Sequence, residues 1–180
     1  MIDAAARFAV QLPPDHWHDD FPGLAGVEPP VIFGNGMPYV CTDGTPVVPH
    51  RTWLGLVHHI TSHANQAAAI PRNIEFSWTR FGQPPPGTPV SECVTQLHAA
   101  SAAVHVWWAG ASPDELDRVI PTGLGPKTIQ QRMQHNTYSL VQHTRQLMIA
   151  LVTLGIEPDG PIGDAEYEGL RMPDDVWERD

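Results

Sequence analysis

The chain has 180 residues, of which 42% are apolar, and a formal net charge of −10. That length suits one domain with a buried core and is short for two. The acidic balance argues against a nucleic-acid partner or an anionic membrane surface, which call for a basic patch, and no apolar stretch approaches the ~20 residues that span a bilayer.

Residues 3–11 read as a short helix with its alanines and Phe8 on one side. The start carries Asp3 and lacks a basic region followed by a long apolar run, so no signal peptide is read and a cytoplasmic location is expected. Residues 12–49 hold eight of the 19 prolines and several glycines, a density of breakers that forbids a long helix. Within them Val31–Phe33 and Tyr39–Cys41 flank Gly34-Asn35-Gly36, a pattern compatible with a small hairpin. A connection this long is expected to have a purpose, and covering one end of the domain near a site is the reading adopted.

A second helix is predicted from about Pro49 to Ile70, with Pro49 in the first turn and Pro71 marking the end. After a loop that ends in Pro84-Pro85-Pro86-Gly87, a third is predicted over about 89–109, with Thr88 as its cap. Val90, Val94, Leu97, Ser101, Val104 and Trp108 supply its helical period. A short helix over 113–119 follows the cap candidate Ser112. The last long helix is predicted from about Lys127 to Leu154, stopping at Gly155, with an acidic, loop-like tail over 156–180. Three long helices and a short first one make an all-α, four-helix bundle the economical fold, a single domain over 1–180. The two cysteines, Cys41 and Cys93, form no motif and are expected as thiols rather than as a disulfide.

Ten histidines carry the chemical signal. His59 and His63 are four apart in the second helix and share a face, as two metal ligands on one helix must. A histidine pair at this spacing also arises by chance in a histidine-rich chain, so a third ligand from another element is needed. His98 and His105 read as structural. His135 and His143 are separated by two turns, roughly 12 Å along the axis, too far to share one ion without strain.

Two segments resemble the DinB/YfiT-like superfamily. One is Val57-His58-His59-Ile60-Thr61-Ser62-His63-Ala64-Asn65. The other runs from Gly125-Pro126-Lys127-Thr128 through Tyr138-Ser139-Leu140-Val141-Gln142-His143-Thr144-Arg145-Gln146-Leu147 to Val176-Trp177. The resemblance implies a DinB-like four-helix bundle in which His59 and His143 bind a divalent metal, zinc or nickel. It also implies an aromatic residue followed by His-x-x-x-His. The aromatic residue is Tyr138, but the first histidine of that pair is replaced by Ser139, a poor donor to such metals, so a weakened site is expected. Three outcomes are open. His63 replaces the lost ligand, water leaves a two-histidine site, or metal binding is gone.

By the same resemblance the expected activity is a metal-assisted transfer to a small-molecule substrate. A low-molecular-weight thiol of the mycothiol kind would be co-substrate, and an isomerase or hydrolase would be a related outcome. Tyr138 and Arg145 are the catalytic candidates, with Gln142 a further positioning candidate, and a homodimer is compatible. The alternative is a metal-free bundle that binds or remodels a natural-product-like molecule, its pocket lined by some of the six tryptophans. A third reading is a non-catalytic dimerising protein.

Overall fold

The computed structural model describes residues 1–20, 39–40, 46–47, 52–72, 84–122 and 125–169. Six α-helices are described: α1 (Ile2–Gln11), α2 (Trp53–Ala69), α3 (Val90–Trp108), α4 (Pro113–Asp117), α5 (Ile129–Thr153) and α6 (Asp164–Tyr167). The all-α expectation holds. Two short antiparallel pairs accompany the helices, β1 (Tyr39–Val40) with β2 (Pro46–Val47) and β3 (Val119–Ile120) with β4 (Lys127–Thr128). Of the expected hairpin, Tyr39 and Val40 are described and pair with Val47 and Pro46 on their C-terminal side, while Val31–Phe33 lies outside the described residues. Most of the 12–49 connection, and with it the expected cover over the site, also lies outside them.

The helix ends follow local chemistry. Thr52, not Pro49, opens α2, its hydroxyl accepting from the Gly55 amide at 3.1 Å. Thr128 opens α5 with a reciprocal pair: its hydroxyl accepts from the Gln131 amide, and the Gln131 side chain accepts from the Thr128 amide. Thr88 does not cap α3, because its hydroxyl donates to the Pro85 carbonyl instead. At the far end of α5, Gly155 takes a φ of 73°, and the Ile156 amide donates back to the Leu151 carbonyl. This left-handed closure suits glycine, which has no Cβ to clash.

The four longer helices share one core. α1 packs against α3 and α5, and α2 packs against the same two from the opposite side. Phe8, Leu56, Ile60, Leu97, Leu147 and Leu151 are fully buried between them. Burying each such side chain contributes about 1.5–3 kcal/mol. α2 and α3 run parallel. His58 meets the Thr88 carbonyl near their starts, and further along the Asn65 amide donates to Gln96. α5 runs against α2, since His59 meets His143 while Gln66, further on, meets Asn136 and Arg132, further back. α1 runs with α5. The Gln11 side chain, at its end, bonds the Glu157 carbonyl just beyond α5, and Arg7 bonds the carbonyls of Asp159 and Gly160. A second small core of Ile70, Ile120 and Ile129 lies where β3 and β4 join the start of α5.

Among the described residues no helix is long and apolar enough to cross a membrane. Cys93 is a free, buried thiol, in line with the expectation, and Cys41 lies outside the described residues.

Candidate metal centre

The α2–α5 interface is polar where a bundle seam is ordinarily apolar. From α2 it takes His59, Ser62, His63 and Gln66, and from α5 it takes Arg132, Asn136, Ser139, His143 and Gln146. Steps of three and four residues set each group on one helical face. At one end of the seam the Gln66 carbonyl oxygen accepts from Arg132 Nη2 at 3.1 Å, and its amide donates to the Ser62 hydroxyl at 3.3 Å. These side chains are buried, and unpaired they would each be costly to hold away from water.

One turn further along, three imidazoles converge. His59 Nε2 lies 3.1 Å from His63 Nε2 and 3.1 Å from His143 Nε2. The donor nitrogens of all three lie within 4.8 Å of one another. The His59 ring stands at 88° to His63 and 81° to His143, while those two are stacked at 26° with centroids 5.6 Å apart. His59 is buried at 4% exposure and the other two are half-buried, so the cluster has a deep and a more open side.

This contact pattern fits a cation better than protons. The contact from His143 Nδ1 to the carbonyl oxygen of Gln146 is 2.8 Å, and since that oxygen only accepts, Nδ1 carries the proton. In a neutral ring Nε2 is then a lone pair. His59 Nε2 has two ring-nitrogen neighbours but a single in-plane position, which is either a proton or a lone pair. It cannot donate to His143 and accept from His63 at once. An ion that takes one lone pair from each ring satisfies all three. Two nitrogens about 2.05 Å from a zinc ion at a tetrahedral angle lie about 3.3 Å apart, close to the spacing seen here.

Of the three outcomes open at Ser139, the geometry matches the first. Because α2 and α5 are antiparallel, the step from His59 to His63 on α2 mirrors the step from His143 back to Ser139 on α5. His63 therefore stands level with Ser139. Ser139 is buried, and its hydroxyl donates to the His135 carbonyl in its own helix at 3.3 Å. The third imidazole of the cluster is that of His63, from α2.

The catalytic candidates do not join this cluster. At about 100° per residue, Tyr138 and Arg145 project roughly 140° and 160° around α5 from His143. Arg145 is half-buried with its guanidinium 5.9 Å above the Tyr167 ring, on the side where the tail packs. Gln142 is fully buried next to His143 in sequence. Gln146, which touches His143 directly, was not singled out by the sequence. Its signals there are its spacing of three residues from His143 and its place in the Thr144-Arg145-Gln146-Leu147 run that carries the resemblance.

Three other described histidines make local contacts. His58 is buried, and its Nε2 donates to the Thr88 carbonyl at 2.9 Å. Burial holds its imidazole below the ordinary range, an effect that this bond opposes. His16 pairs with Asp19, and His98 lies 3.8 Å from Asp3 at the surface. Burial pushes the Cys93 thiol up to about 11, so near neutral pH it stays a neutral thiol. The tryptophans are dispersed. Trp53 is core, Trp17 donates to the Leu12 carbonyl, Trp107 donates to Glu115, Trp108 is exposed, and Trp78 and Trp177 lie outside the described residues.

Compared with known proteins, the chain matches no family model, no curated protein and no solved structure.

Proposed function

We propose that the chain is a metal-dependent small-molecule enzyme of the DinB/YfiT-like kind, binding one divalent ion of the zinc or nickel type through His59, His63 and His143. The observation that carries this reading is the convergence of three imidazole Nε2 atoms from two rigid helices, two of the contacts at 3.1 Å. Neutral imidazoles suit zinc, nickel, copper and iron, and no carboxylate joins the set among the described residues. Three protein ligands with an open position distinguish catalytic from structural zinc sites.

The proposed reaction is transfer of a low-molecular-weight thiol to a small electrophilic substrate. The ion supplies Lewis acidity that favours a thiolate over a thiol in the open position. The chain's own residues do the rest. His59 and His63 present two nitrogens from successive turns of α2, His143 closes the set from α5, and buried Leu56, Ile60 and Leu147 on the same helices hold the seam rigid. The half-buried edges of His63 and His143 mark the side from which thiol and substrate approach.

Cobalt(II) loading of the chelator-stripped protein tests this reading. One equivalent should give the visible bands of a four-coordinate ion. Added 2-mercaptoethanol should then bring a near-ultraviolet sulfur-to-cobalt band, and His59→Ala should abolish both. A protein that takes up no cobalt, zinc or nickel would leave the metal-free binding reading as the better one. Uptake of metal with no thiol band would retain the site and remove the thiol.

A further inference from the structure

We infer that Gln146 is a positioning residue for this centre. By accepting the Nδ1 proton of His143 it fixes the ring tautomer and turn that aim the Nε2 lone pair at His59 and His63, and it does so as a neutral amide. The inference rests on the proposed metal site for what the lone pair holds, and on geometry alone for the tautomer.

His143 Nδ1 lies 2.8 Å from Gln146 Oε1, a short contact between side chains three residues apart on α5. Gln146 is 6% exposed, so water does not readily replace the amide. The same ring presents Nε2 to His59 at 3.1 Å. A free imidazole carries its proton on either nitrogen, and with the proton on Nε2 the ring would present no lone pair on the side of His59 and His63. The partner on the far nitrogen decides the tautomer. The choice of glutamine has a further consequence. A carboxylate in this place would draw the Nδ1 proton towards itself, make the ring a stronger donor and lower the ion's acidity. An amide oxygen orients the ring without that added charge. It leaves the bound ion more electrophilic, as thiol activation requires.

Two readouts test the assignment. Long-range 1H–15N correlation spectra of the metal-stripped protein report the tautomer directly. His143 should carry its proton on Nδ1 in the native protein and in Gln146→Glu, and should become a mixture in the near-isosteric Gln146→Met. Zinc affinity, from competition with a chromophoric chelator, should fall ten- to hundredfold in Gln146→Met. In Gln146→Glu it should be retained or rise, while the cobalt–thiolate band should form only at higher pH than in the native protein. Thermal melts of each variant control for packing, and the glutamate variant keeps the acceptor should the methionine variant fold poorly. Nε2 protonation of His143 in the native protein would overturn the inference. So would a Gln146→Met protein with unchanged tautomer and affinity. Native protein with Nδ1 protonation but no zinc uptake would instead refute the metal reading alone.

Discussion

His59 and His143 bring their Nε2 atoms to 3.1 Å although 84 residues separate them in the chain. The contact depends on the antiparallel register of α2 and α5, and that same register sets His63 opposite Ser139. The three-imidazole cluster therefore draws two side chains from α2 and one from α5.

His63→Ala should lower zinc affinity by two orders of magnitude or more, because a water or hydroxyl replaces one of three imidazoles. His63 is half-buried, so the metal-free melting temperature should change little. Competition titration with a chromophoric chelator checks the first statement and a chelator-treated melt the second. Affinity equal to the native value would place the site elsewhere.

Ser139→His in the native background should not improve zinc binding by orders of magnitude, since His63 already occupies the third place. The added ring enters a position that is 5% exposed, and overpacking there should cost about 1–3 kcal/mol of metal-free stability. In the double variant His63→Ser, Ser139→His the ring moves to α5 and binding should recover most of what His63→Ser loses. A double variant as weak as the single one would show that the two positions are not interchangeable across the interface.

The buried His58 predicts an acid-sensitive fold. Its folded-state pKa is lowered from 6.5, so between that lowered value and 6.5 the unfolded chain binds the extra proton. Stability of the metal-free protein should rise with pH in this window and be lost as the pH falls below about 6.5. His58→Gln keeps a donor for the Thr88 carbonyl and removes the titration. Urea unfolding of both proteins across this range should show a shallower pH dependence in the variant. Identical slopes would assign the acid sensitivity to other groups.

Cys93 should resist alkylation. Its thiol is fully buried, and burial pushes it up to about 11, an effect that neighbouring Thr61 opposes. Iodoacetamide at pH 8, followed by peptide mass mapping, should leave Cys93 unmodified in the folded protein and label it after denaturation. Rapid labelling under native conditions would mean that the α2–α3 seam opens locally.

Much of the local structure was legible in the sequence because it is decided within a turn or two. The apolar period of α3 (which holds from Val90 to Ser101, with Trp108 at the predicted end exposed), the stop at Gly155 and the Ser112 cap each depend on neighbours a few residues away. So does the shared face of His59 and His63, which follows from their spacing alone. Proline tolerates a first turn, which favours Pro49 as the start of α2, but the Thr52 hydroxyl, which satisfies an otherwise orphaned amide, is the stronger signal.

What the tertiary structure alone decided is which residues meet. Spacing ruled out His135 and His143 as a pair, and the resemblance joined His143 to His59, but only packing shows that these two rings meet at 3.1 Å with His63 beside them. Those choices depend on the direction and register of α5 against α2, set by how Leu56, Ile60, Leu147 and Leu151 interlock with α1 and α3. The role of Gln146 was hidden for the same reason. A glutamine beside a histidine is unremarkable in a helix until packing buries both and turns one ring nitrogen towards the amide and the other towards two more imidazoles. Tyr138 and Arg145, implied by the resemblance, start roughly 140° and 160° around α5 from His143, because a helix turns each residue by about 100° whatever its reactivity.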